Sequence, residues 1–517
     1  MRQTDGMRRL RLLSWAITLW VWLMLLRLSI AFVRSEMSWR YVAEHSRRDA
    51  PWYYRLAGVW GGSQGSLLLF VAITALVVSG AAMQCRSRRA ALFGLGTTSA
   101  LLLVNLGFAS PFGRLEVPAV RGFGLTPILE HPAMAVHPPM LYFGLAATLA
   151  VAMAALDGRT AFGWLRASVG LITAAMALGG LWSYVEQGWG GYWAWDPVEN
   201  TSLLVWLAAL VALHRPRVPR LLLDATPWIV ALASAALVRS GSTPSVHGFA
   251  EQPSIGWSLL ALTVATATTI VVARLRTHRD MPDDEALTPE TGSARTPTLA
   301  NNVLAAAAFV VISAGTLAPV AIDLFGDRPA AVRGVFFSRI VGPLALVALP
   351  FIAARLRHSR GRLAHLGMLV LLAGIGASTF DHEATIGIAD GQVVNAAGLR
   401  ITGRGVRVVQ GARSDTQAVV ADVVIGGHLL HPSLTAYPDR GGVLAETAMV
   451  SRPWRDIQVT LTDATDDGLA LITVRQRPLV WLIWLGAAMT TIGAFSPRAR
   501  RSARRPVVAD ACEPTTR

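Results

Sequence analysis

Lysine is absent from this sequence of 517 residues and all 47 basic residues are arginine, so chemistry built on a lysine amine, such as a Schiff base, is excluded. Cysteine is nearly absent too. Cys85 and Cys512 both fall in segments assigned below to the cytoplasmic side, which argues against a structural disulfide. No Cys-x-x-Cys-His run occurs, so the chain is not itself a c-type cytochrome. Charged residues make up only 15%, where a soluble domain carries about 25%. With 53% hydrophobic residues and a mean hydropathy of +0.45, the composition is that of a polytopic membrane protein. No Ser-His-Asp or Cys-His constellation suggests a conventional acyl-transfer enzyme.

Long apolar runs are what the sequence has in quantity. Windows near 12-33, 66-84, 91-108, 138-156, 167-185, 200-214, 225-240, 256-274, 299-319, 335-355, 364-380 and 478-495 predict about twelve transmembrane helices. The expected fold class is therefore an all-α polytopic integral membrane bundle. Arg8, Arg9 and Arg11 precede the first run as in a secretory signal, but the run is too long and lacks a small-residue cleavage site, which makes it a retained helix. The net charge of +15 comes largely from arginines in alternate short loops, such as Arg86, Arg88 and Arg89, or Arg355, Arg357, Arg360 and Arg362. The positive-inside rule places those loops in the cytoplasm and removes nucleic acid as an expected partner. One loop resists the rule. Residues 34-64 should lie outside, yet carry Arg34, Arg40, Arg47, Arg48 and Arg55.

Composition divides the rest. Residues 1-380 read as the helical bundle, interrupted at 275-298 by an acidic, Pro- and Thr-containing cytoplasmic linker. From 381 to 477 short alternating runs such as Ala418-Val424 and Asp456-Thr462, split by Gly, Asp and Pro, predict a small external β domain. His428 and His431 lie in it and read as structural or surface residues. The last span, 478-495, and an Arg-rich cytoplasmic tail, 496-517, close the chain.

Within the bundle one loop stands out. Trp189-Gly190-Gly191-Tyr192-Trp193-Ala194-Trp195-Asp196-Pro197-Val198-Glu199-Asn200 joins two membrane-length segments on the outer side. An interfacial aromatic belt would scatter its rings and would not require Gly-Gly, Asp-Pro and Glu-Asn beside them. The glycines permit close approach, Asp196 sits where a helix cap would, and Pro197 suits the first turn of the following helix. Such a loop reads as a docking face for a large planar ligand.

Four histidines fall into two pairs at matched membrane depths, one beside this loop and one on the opposite side. His137 is followed by Pro138-Pro139 at an outer helix mouth, and His247 follows the turn Arg239-Ser245 on the same side. His214 and His365 end helices on the cytoplasmic side. Neutral imidazole is a good axial ligand for haem iron, and two histidines on facing helices form a bis-histidine pocket, so the spacing gives two candidate iron-ligating pairs.

The run from Trp189 to Asn200 resembles the tryptophan-rich WWD signature of the haem-handling proteins of cytochrome c maturation. Further matches, at Trp60-Leu67 and Leu299-Asn302, make the chain similar to their CcmF branch. That resemblance implies a haem lyase subunit in the cell (inner or plasma) membrane, with the WWD loop (186-200) and β domain on the outer or periplasmic face. It implies His214 and His365 as ligands of a resident haem b, His137 and His247 as ligands of the incoming haem, and Trp189, Trp193, Trp195 and Asp196 as the platform that holds it. It further implies a CcmE-type haem chaperone, a CcmH-type thioreductase subunit and apocytochrome c as partners, with membrane lipid around the spans. Tyr192 and Ala194 stand where larger aromatics are usual, the family's first helix is missing, and the stretch between His247 and His365 is shorter by about two helices. A haem exporter or handler without lyase chemistry is the alternative reading, and a non-haem transporter a third.

Overall fold

The computed structural model describes residues 2–186, 191–214, 220–243, 245, 251–277, 292–325, 332–358, 361–411, 413, 415–438, 442–465 and 467–496. Each of the twelve apolar windows coincides with a helix. Among the described residues nine helices are long and apolar enough to cross a membrane: α1 (Arg2–Val33), α4 (Ser63–Gln84), α5 (Arg88–Phe108), α6 (Ala133–Leu156), α7 (Phe162–Glu186), α9 (Leu221–Ser240), α10 (Pro253–Thr277), α11 (Gly292–Phe325) and α12 (Gly334–His358). Three are shorter and apolar: α8 (Pro197–Leu213), α13 (Arg362–Ser378) and α14 (Trp481–Phe495). The chain is a multi-pass membrane protein. Helix α11 begins at Gly292, inside the stretch read as a linker, while 278–291 lie outside the described residues.

The arginine-rich segment after α1 is folded rather than an open loop. It forms two short helices, α2 (Arg40–His45) and α3 (Trp52–Ala57), and hydrogen-bonds to the segment after α5 through Arg40 N to Gly113 O (2.9 Å), Leu115 N to Ser38 O (2.9 Å) and Phe123 N to Ala43 O (2.8 Å). Its arginines serve these contacts. Arg48 donates to Val120 O, Arg55 to Val33 O, and buried Arg47 lies 3.3 Å from Asp49. Their number therefore reflects tertiary structure, which is why it departs from the alternation of the other loops.

Small residues set the packing of α13 on α14. A Cβ at Gly486 would lie 2.2 Å from Leu371 N, and one at Gly493 would lie 2.3 Å from Ala364 N, so α13 and α14 approach where only glycine fits. This fixes α13, and with it His365, against the last helix.

Between those helices, ten strands among the described residues form two antiparallel sheets. One orders β1 (His382–Ile388), β10 (Ala470–Pro478), β9 (Arg455–Ala464) and β8 (Ala448–Arg452). The other orders β2 (Val393–Ala396), β3 (Leu399–Gln410), β4 (Gln417–Ile425), β6 (Ser433–Tyr437) and β7 (Gly442–Glu446), with β5 (His428–Leu430) also pairing with β4. Alternate residues such as Ile401, Val423, Val459 and Ile472 form one apolar core. His431, half-exposed, bonds to Asp422 at 2.6 Å.

Candidate functional site

Asp196 starts α8. Its Oδ1 accepts from Val198 N (2.9 Å), while Glu199 Oε2 accepts from Asp196 N (3.1 Å) and Ala194 N (2.9 Å), completing a capping box. The same Oδ1 accepts from the Ser245 hydroxyl at 2.9 Å, which ties the turn after α9 to the aromatic loop. One carboxylate thus caps the start of a helix and joins two loops.

Trp195 is held in the left-handed region, φ 59°, a conformation that costs a bulky residue about 1–3 kcal/mol. Its surroundings over-determine it. The indole stacks on Phe337 (5.2 Å, 13°) and donates to Ser338 Oγ (2.9 Å), its carbonyl accepts from Asn200 (3.2 Å), and Asn200 also bonds Thr316 of α11 (3.0 Å). Trp193 stands edge-on to it at 6.0 Å and 87°. Trp193 Nε1 is buried with no hydrogen-bond partner among the described residues, a donor that a bound acceptor would satisfy. Tyr192 turns the other way: its hydroxyl bonds Ser378 Oγ (2.7 Å) and its ring meets Trp484 edge-on, so this departure from the family pattern anchors the loop to α13 and α14. Trp189 and Gly190 lie outside the described residues.

His137 lies in the second turn of α6, because that helix begins at Ala133 rather than at the prolines. Pro138 cannot donate to Met134 O, and the Trp60 indole does so instead at 2.7 Å. Across the interface, His137 Nδ1 bonds Ala175 O of α7 at 2.8 Å, and its ring fills the space above Gly179, where a Cβ would lie 2.7 Å from Cε1. A carbonyl can only accept, so Nδ1 carries the proton and Nε2 the lone pair. Trp182 stands beside it at 6.3 Å, with His131 stacked on Trp182 at 5.7 Å and 9°. Burial lowers the pKa of His131 below the usual imidazole range. His247, the expected partner of His137, lies outside the described residues.

The structure brings His214 and His365 together. His214 caps the C-terminus of α8, His365 lies in the first turn of α13, and their ring centroids are 5.9 Å apart with planes at 78°. Both Nδ1 atoms bond the carbonyl four residues back, Leu210 O at 2.9 Å and Gly361 O at 2.8 Å, so in each ring Nε2 carries the lone pair. The two rings are close enough that their Nε2 atoms would be the pair to hold one iron. Among the described residues no group of three or more His, Cys, Asp or Glu is arranged to hold a metal ion. A pair suits haem, whose macrocycle supplies the other four donors.

Sequence reasoning did not single out Gly179, Trp182, Phe337 or Thr316, and took Trp60 only as the start of a family-like run. Each acts on a residue distant in the chain; Trp60 alone carried a signal, the Trp-Gly-Gly run it opens.

The family model described as "Cytochrome C assembly protein" matches residues 60–238. The chain is 30% identical to a cytochrome c-type biogenesis protein, ccl1, of Rhodobacter capsulatus, over 94% of this chain and 91% of that one. It is 33% identical to a probable cytochrome c-type biogenesis protein, NrfE, of Escherichia coli, over 72% and 73%. It is 28% identical to the cytochrome c-type biogenesis protein CcmF of Escherichia coli, over 95% and 92%. Among solved structures it shares the fold of a cytochrome c haem lyase, CcmF, with a TM-score of 0.69 and 20% identity over 94% of this chain and 91% of that one.

Proposed function

Since the chain belongs to the cytochrome c assembly family, we propose that it is the haem-binding membrane subunit of a haem lyase, which attaches haem covalently to Cys-x-x-Cys-His segments of apocytochrome c. In each attachment a cysteine thiol adds across a haem vinyl group, the sulfur bonding one carbon and the thiol proton ending on its neighbour. What such a reaction needs from the protein is placement, because fixing vinyl and thiol together makes the encounter effectively intramolecular. Trp189, Trp193, Trp195 and Asp196 form the platform for the incoming haem, and His137 and His247 ligate its iron. His214 and His365 hold a resident haem b, which when bound would supply a redox centre. A CcmE-type chaperone delivers the substrate and a CcmH-type thioreductase keeps the acceptor cysteines reduced. The platform and the β sheets face the outer or periplasmic side of the cell inner or plasma membrane.

The observation that carries this reading is the His214–His365 pair, two rings 5.9 Å apart with both Nδ1 atoms committed to carbonyls. The test is the visible spectrum of the detergent-purified protein, oxidised and reduced, beside His214→Ala. A bis-histidine b-haem spectrum that disappears in the variant is expected. A wild-type protein without a Soret band, after expression with ample haem, would overturn the resident-haem assignment and favour a haem handler or transporter.

A further inference from the structure

Four arginines are less than a tenth exposed among the described residues: Arg47, Arg239, Arg413 and Arg477. Three have a carboxylate within 4 Å: Arg47 has Asp49 at 3.3 Å, Arg413 pairs with Glu130, and Arg477 has Asp381 at 3.9 Å. Arg239 is the exception. It lies in the last turn of α9 and is 5% exposed, and it makes no ion pair among the described residues. Its guanidinium reaches Ser66 Oγ at 3.4 Å and Ala235 O at 3.5 Å, both long for hydrogen bonds, and its Nε makes none. Glu251, exposed beside the Gly241 turn, forms no ion pair with it.

An arginine cannot shed its charge when buried, so among the described residues this cation lacks the anion that burial demands. Other donors gather at the same place. Ser63, one turn before Ser66 on the same face of α4, has a buried hydroxyl with no partner, and α4 starts at Gly62 without a side-chain cap. The site belongs to the platform end of the bundle, because α8 runs from Asp196 to His214 and α9 returns, ending in the turn whose Ser245 bonds Asp196.

We infer that Arg239, held by Ser66, whose hydroxyl accepts from it and donates to Ser63 O, and assisted by the Ser63 hydroxyl, receives a carboxylate of the porphyrin brought to the platform. This rests on the haem-handling reading, since the two propionates are the anionic groups of an otherwise apolar ring. A guanidinium fork matches a carboxylate in two parallel hydrogen bonds, so the contact fixes the rotation of the ring as well as its depth. Arg239 is thus a specificity-determining residue that sets which edge of the porphyrin, and so which vinyl groups, faces the acceptor.

The test uses the full-length protein in detergent and two probes, zinc protoporphyrin IX and its dimethyl ester, whose binding is followed by tryptophan quenching. Wild type is expected to bind the free acid about tenfold more tightly than the ester, a charge-assisted pair being present in one and absent in the other. Arg239→Gln is expected to weaken the acid to within about twofold of an unchanged ester, and Arg239→Lys to keep about threefold discrimination by retaining the cation. Undiminished discrimination in Arg239→Gln, or none in wild type, overturns the assignment while leaving the haem reading intact. Binding of neither porphyrin by wild type overturns the haem reading, and this inference with it. If Arg239→Gln does not elute as a single monodisperse species, Ser66→Ala decides instead, with discrimination expected to fall about threefold and no change counting against the assignment.

Discussion

Asp196 shows how one side chain of the aromatic signature can serve structure and site together. As a cap it needs an acceptor oxygen, and as the anchor for Ser245 it needs the same atom; neither task requires a negative charge. Asp196→Asn keeps an oxygen there and is expected to melt within about 0.5 kcal/mol of wild type, since asparagine caps helices as well as aspartate does. Asp196→Ala removes both bonds and is expected to cost about 1–2 kcal/mol. Thermal unfolding of the two variants side by side checks this. Equal damage from both would mean that the negative charge at the start of α8, and not the acceptor oxygen alone, stabilises this loop. The sequence shows Asp-Pro before an apolar run, so the cap could be anticipated. The left-handed Trp195 could not, because what compensates it, Phe337 stacking and the Ser338 bond, comes from α12 far along the chain.

At the scale of elements, β9 and α7 meet through a buried polar contact that carries a pH dependence. Tyr184 donates to Asp456 Oδ2 at 3.0 Å, and Gln458 donates to the Tyr184 carbonyl at 2.9 Å. Burial holds the Asp456 carboxyl above the usual range, with bonds from Ser451 and Tyr184 opposing it only in part. A folded-state pKa raised above the unfolded one means that the folded protein binds the extra proton. Stability is therefore lost as pH rises from the unfolded pKa through the folded one, and the penalty is complete above it. Asp456→Asn, which accepts from Tyr184 without a charge, is expected to melt higher than wild type at pH 7.5, with the difference closing toward pH 4. A difference that stays constant over that range would show that ionisation of Asp456 does not oppose the joint. The helices of this joint were legible because a membrane span is a local property of about twenty residues, and the strands because alternation is local too. The pairing was not: β1 lies beside β10 because its apolar face completes a core that only the folded sheets create.

For the whole molecule, the decisive contact holds the sheets against the helical bundle. Between β3 and β4, Arg413 is 5% exposed, donates to Leu125 O at 3.0 Å and to Glu130 Oε2 at 3.3 Å, and lies over Tyr437 at 5.1 Å. Asp415, two residues on, lies 3.2 Å from Arg121 and 3.9 Å from Arg47, so the arginine-rich segment after α1 and the segment after α5 both grip the same β3–β4 corner. Residues 125–130 lead directly into α6 and His137, and β10 brings Arg477 against Gly191 of the aromatic loop. A displaced β domain would therefore disturb the candidate site from two directions. Removing one member of a buried pair strands the other, at about 3–5 kcal/mol, whereas an apolar replacement of both members is often nearly neutral. Arg413→Ala is expected to speed protease cleavage within the β strands by about tenfold or more, and the double change Arg413→Met with Glu130→Leu to restore most of the protection. Limited proteolysis in detergent, timed for wild type and both variants, measures it. Unaltered cleavage in Arg413→Ala would mean that the apolar contacts of α13, α14 and β10 hold the β domain on their own, and that the arginine contacts around Asp415 and Glu130 only decorate a joint made elsewhere.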